Sequence, residues 1–240
     1  TDFQESRYFE IVSRYFGGAF PSRLPEDRDA QSGLASFVRS LSAYSRPPEF
    51  AGEAAAPFLN RSFTVRDERA PSVGLLPMVL QALYNNYTAG VVSVAVSEKG
   101  GMPELIYREK DAMYRLPVGL GRPAVTELDF RGNVFHVAAL GRFTHDEEER
   151  PVFYIRLEFI ETPCVRILKL VSDGPRLFLR QTETPGVPYV SEKLCQAARS
   201  PLYRPLLLLA AGGAEEDYLR FKTRQVLSPE LDCAEEGPEK

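Results

Sequence analysis

The stretch that most constrains the fold is Pro151–Gly186, PVFYIRLEFIETPCVRILKLVSDGPRLFLRQTETPG. Val152–Glu161, Cys164–Val171 and Arg176–Thr182 each read as a strand. In the first, Phe153, Ile155, Leu157 and Phe159 alternate with Tyr154, Arg156 and Glu158. That period of two sets one face on a core and the other in water. Ser172-Asp173-Gly174-Pro175 is a turn, because glycine accepts positive φ and Asp bonds to its own backbone. Glu161-Thr162-Pro163 and Glu183-Thr184-Pro185 repeat one tripeptide. Its proline cannot donate to a ladder, so each copy marks a strand end or an edge. The stretch predicts a β-meander.

Strand patterns begin well before it. Gly90–Ser97, Glu104–Arg108 and Ala112–Val118 read as a hairpin across Gly100-Gly101 and a return strand. Ala124–Phe130 and Asn133–Leu140 pair across Arg131-Gly132, and His145–Arg150 is a charged tip. About eight strands with short loops and no crossover helices favour an antiparallel barrel or sandwich over a parallel sheet. Helical periodicity flanks them in Asp2–Phe16, Asp27–Tyr44, Pro77–Tyr84, Ser191–Arg199, Pro205–Ala211 and Glu215–Leu227. The expected class is therefore α+β, an antiparallel β barrel or sandwich of about eight strands with flanking helices at both ends. The expected order is a helical pair (1–46), a linker with a short helix (47–88), the antiparallel β domain (89–186), C-terminal helices (187–227) and a disordered acidic tail (228–240).

Charge excludes some partners. Five acids and one base lie between Ser228 and Lys240, and they account for the whole net charge of −4. The body is neutral and carries no basic stripe, so no nucleic-acid partner is expected. No apolar run approaches the roughly 20 residues that span a bilayer, so no membrane partner is expected either. Cys164, Cys195 and Cys233 are odd in number and have neither disulfide-framework nor zinc spacing. The expected setting is reducing and cytoplasmic. The chain opens on Thr1 rather than Met, which predicts processing or a piece of a longer polypeptide.

Candidate chemistry is sparse. His136 lies among apolar neighbours and reads as a partly buried, hydrogen-bonded strand histidine; His145 precedes a run of four acids that reads as a solvated loop. Neither a Gly-x-Ser-x-Gly elbow nor a Cys/His pairing is recognisable, and no metal or cofactor is implied. Gly119-Leu120-Gly121 lacks the further glycines of a phosphate loop and reads as a bend. Glu161 and Glu183 read as strand terminators rather than an acid/base pair.

The helices Tyr8–Phe16 and Asp27–Leu41, with AFPSRLPEDRDA (Ala19–Ala30) between them, LPVGLGRP (Leu116–Pro123) and the meander itself carry a resemblance. Together they resemble the C-terminal accessory region of clostridial serine hydrolases related to β-lactamases and penicillin-binding proteins, with a lipocalin-like or sandwich-like β unit. The family's nucleophile motif Ser-x-x-Lys is missing, Tyr84-Asn85-Asn86 matches only its short Tyr-x-Asn, and Lys222-Thr223-Arg224 lacks the glycine of Lys-Thr-Gly. The resemblance thus implies the accessory portion and transfers no catalytic residue.

Three functional readings follow. One is a non-catalytic accessory module, whose partner is a catalytic hydrolase domain or another protein surface and which would leave an exposed apolar patch. A second is a small-molecule-binding, lipocalin-like barrel, with ligand among Tyr107, Tyr114, Phe135, Phe153 and Phe159 in an internal pocket. A third is an enzyme of another type, with a titratable pair in a cleft.

Overall fold

The computed structural model describes residues 54–67, 73–205, 208 and 215–236. The expected helices Asp2–Phe16 and Asp27–Tyr44, and most of Pro205–Ala211, lie outside the described residues. The strands are β1 Arg61–Val65, β2 Val91–Lys99, β3 Met102–Glu109, β4 Met113–Pro117, β5 Gly119–Leu120, β6 Ala124–Phe130, β7 Asn133–His145, β8 Pro151–Phe159, β9 Val165–Asp173, β10 Arg176–Thr184 and β11 Glu230–Glu235. The helices whose full extent lies among the described residues are α1 Met78–Leu83, α2 Val187–Arg199 and α3 Glu216–Leu227.

All eleven strands belong to one sheet, ordered β4-β3-β2-β1-β11-β10-β9-β8-β7, with β5 and β6 both paired to the far edge of β7. Strand pairing is antiparallel throughout except for β5 on β7. The two ends of this order approach each other, β4 towards β6. β3 likewise approaches β5. The sheet is therefore a nearly closed, mainly antiparallel barrel.

Eleven strands replace the eight expected, for identifiable reasons. The linker 47–88 holds β1, in which Phe63 alone is fully buried; a five-residue strand with one buried side chain has little periodicity to detect. The tail 228–240 is corrected as well, because it holds β11. There Leu231 and Cys233 turn inward while Glu230, Asp232 and Glu235 meet Arg180, Arg176 and Arg61 on the neighbouring strands. Summed charge reads that run as solvated; alternation reads it as a strand whose outward acids face cross-strand arginines.

A barrel of this many strands is wider than an eight-stranded one, so large side chains must fill it. Phe58, Phe143 and Phe153 occupy one end, with Phe143 stacked on Phe153 at 4.2 Å between centroids. Tyr114, Phe130, Phe135 and Phe159 occupy the other, Phe130 lying 4.6 Å from Tyr114 and 6.0 Å from Phe159. Leucines and valines from β2, β3, β8, β9 and β10 complete one continuous core. The segment 73–88, including α1, closes the second end: Leu75, Leu76 and Leu80 join the core. Inside that mouth, Arg166 donates to the Leu76 carbonyl at 2.8 Å, and Glu183 accepts the Met78 N–H at 3.0 Å.

Candidate functional site

The five aromatic residues expected to line a ligand pocket are all buried in the core. Phe130 brings Tyr114, Phe135 and Phe159 into one cluster. Phe153 lies in the other cluster with Phe58 and Phe143. Tyr107 accepts a hydrogen bond from Gln181 Nε2 at 2.8 Å, and burial pushes its phenol pKa up. All five belong to the continuous core, and none of them lines either of the surface pockets described next.

One of those pockets is an apolar groove of about 460 Å³ outside the barrel. Its walls come from α1 (Val79, Leu80, Leu83), the residue after it (Tyr84), the β8–β9 turn (Thr162, Pro163, Cys164) and α2 (Tyr189, Val190, Leu194), together with Pro185. Local sequence explains each wall. Glu161-Thr162-Pro163 follows β8 and Glu183-Thr184-Pro185 closes β10, at the same end of the sheet with β9 between them, as their prolines require. The second of these, through a cis Thr184–Pro185 bond, leads directly into α2. The Glu183 carboxylate then fixes α1 over the same end of the barrel through the Met78 N–H. Three large apolar side chains stay open to solvent around the groove: Leu83 is 73%, Tyr84 49% and Tyr189 50% exposed.

His136 differs from its expected partial burial. It projects from the outer face of β7 with 53% of its side chain exposed, because its neighbours Phe135 and Val137 take the inward positions. Its Nδ1 lies 2.5 Å from Glu161 Oε1, and Nε2 lies 3.7 Å from Glu127. The bonded imidazole holds the Glu161 carboxyl below the usual carboxylate range. Glu161 lines the groove while Glu183 sits inside the barrel, so the two strand-end glutamates have separate environments. Burial pushes the Cys164 thiol up, the direction opposite to what a nucleophile needs.

Periodicity pointed to the meander but could not reveal the groove. Its walls come from three segments that share no pattern, and the only local marks were the two Glu-Thr-Pro repeats. Among the described residues no group of three or more His, Cys, Asp or Glu side chains is arranged to hold a metal ion, and no helix is long and apolar enough to cross a membrane. Comparisons with family models, curated proteins and solved structures return no match.

Proposed function

We propose that this chain is a non-catalytic interaction module whose groove between α1, α2 and the β8–β9 turn takes an apolar segment of a partner protein. The observation that carries the reading is the open apolar groove ringed by Leu83, Tyr84 and Tyr189. Leaving three such side chains in water gains nothing unless a surface covers them. The resemblance to the accessory region of serine hydrolases makes a hydrolase catalytic domain the first partner to test. A small-molecule ligand is the second reading, and the size of the groove favours it, since 460 Å³ falls in the range of ligand pockets. An enclosed ligand is disfavoured by the aromatic filling of the barrel.

The test places a photo-crosslinking residue at Leu83 or Tyr189, and at the exposed Val125 or Met102 as controls. A discrete protein adduct from the groove positions alone is expected. The identified partner should then lose at least about tenfold in affinity with Leu83→Asp. Equal adducts from all four positions, or none, would overturn the reading. A co-purifying apolar compound released on denaturation would favour the small-molecule alternative.

A further inference from the structure

A second surface pocket, separate from the groove, lies on the outer face of β8–β11. It has a volume of about 300 Å³ and is lined by Tyr154, Ile167, Lys169, Arg180, Gln181, Thr182 and Ser228–Glu230. The register builds it. Arg142 is opposite Tyr154, Tyr154 opposite Lys169, Lys169 opposite Arg180, and Arg180 opposite Glu230. One straight cross-strand row therefore carries three cations, one tyrosine and one acid.

Two features of this row are unusual for a merely solvated face. Lys169 and Arg180 are directly opposed like charges on adjacent strands, a destabilising arrangement. Their demands are also met unequally. Arg180 is bonded to Glu230, whereas among the described residues no carboxylate pairs with Lys169. The Lys169 ammonium instead lies 5.9 Å from the Tyr154 ring centroid, with Arg142 5.0 Å from the same ring. The Thr182 and Ser228 hydroxyls add neutral donors, and Ile167 and Pro229 add apolar wall. Even with Glu230 present, the row keeps a surplus of positive charge.

We infer that this pocket binds a small organic oxyanion, a carboxylate or a phosphate monoester. The charged head would satisfy Lys169 and relieve its repulsion with Arg180, through charge-assisted hydrogen bonds. The organic body would lie against Ile167, Pro229 and Tyr154. This inference is independent of the groove.

The experiment is calorimetric titration of the full chain with phenyl phosphate, benzoate and inorganic phosphate. Saturable binding of phenyl phosphate or benzoate is expected, and which one binds more tightly identifies the head group. Inorganic phosphate should bind more weakly than phenyl phosphate, since it lacks the apolar body. Lys169→Gln should weaken binding at least about tenfold, whereas Lys99→Gln, which removes an equal charge on remote β2, should leave it within about twofold. Without ligand, Lys169→Gln should unfold at the same temperature as the parent or a higher one, because the opposed charge is gone. No saturation by either aryl oxyanion below about 10 mM, or equal loss in both variants, would overturn the inference.

Discussion

Arg166 and Glu183 are direct cross-strand neighbours on β9 and β10 and form a 3.0 Å ion pair inside the barrel, their side chains 2% and 0% exposed. Burial pushes the Glu183 carboxyl up, against the lowering pull of Arg166 and the Met78 N–H. A buried pair of this kind is weak as net stabilisation but costly to break. Glu183→Ala should destabilise the chain by about 3–5 kcal/mol in chemical denaturation, because it strands the guanidinium. Replacing both partners by Arg166→Met and Glu183→Leu should not restore the loss, unlike simple buried pairs. Arg166 also serves the Leu75 and Leu76 carbonyls and Glu183 serves the Met78 N–H. The double variant should remain at least about 2 kcal/mol below the parent, since those backbone groups are left unpaired. Full recovery would show that the pair does not hold segment 73–88.

Two glycines separate crowding from backbone strain. A Cβ on Gly119 would lie 1.9 Å from the Arg122 carbonyl oxygen, a backbone atom that cannot rotate aside. Gly119→Ala should therefore cost about 2–3 kcal/mol or displace β5. Gly132 has open space but φ of +91°, so Gly132→Ala should cost only about 1–2 kcal/mol. Thermal unfolding of both variants checks the order, and a reversal would contradict the close approach of Gly119 to the Arg122 carbonyl.

Arg131 governs a pH response. Its guanidinium bonds Asp111 at 2.8 Å and also reaches Glu109, whose side chain is 1% exposed. The Arg131 hydrogen bond holds the Asp111 carboxyl below the ordinary aspartate range. A lowered folded-state pKa contributes stability above the unfolded value and loses it as pH falls through the folded one. Glu183, raised, acts in the opposite sense: its contribution is present below the ordinary glutamate range and is lost as pH rises through the folded value. Carbon-detected NMR titration should find Asp111 ionising at lower pH than an unpaired aspartate, and Arg131→Gln should return it to the ordinary range. An unmoved Asp111 would remove Arg131 from this role.

Thiol reactivity reports whether β11 is in place. Cys164, Cys195 and Cys233 are free and buried, and burial pushes the Cys233 thiol up to about 12. Disulfide-exchange reagents at pH 8 should leave Cys233 unmodified in the native chain and react with it at once in denaturant. A Cys233 equally reactive in both states would mean that β11 does not occupy its place between β1 and β10.

The barrel's long strands were legible because their inward residues alternate cleanly; Ala124–Phe130 was readable to its ends from the Arg131-Gly132 turn. β1 and β11 were not, because each contributes few buried side chains and their pairing with each other spans most of the described sequence. The expected aromatic positions were legible as inward-facing, but periodicity cannot tell a ring that lines a cavity from one that fills it. The groove and the outer-face row depend on register and on which strand ends coincide, and those become visible only once the strands are aligned.

β11 lies between β1 and β10, pairing Phe63 with Glu235 on one side and Arg180 with Glu230 on the other. During synthesis, every strand from β1 to β10 has left the ribosome before the one that joins them exists. Until Glu235 emerges, β1 and β10 present two unpaired edges, each able to recruit another extended chain. The nascent protein is thus exposed to mispairing at those edges until β11 is made. The arginines waiting on those edges, Arg61, Arg176 and Arg180, would meanwhile repel a second copy of the same edge and admit the acidic strand made for them.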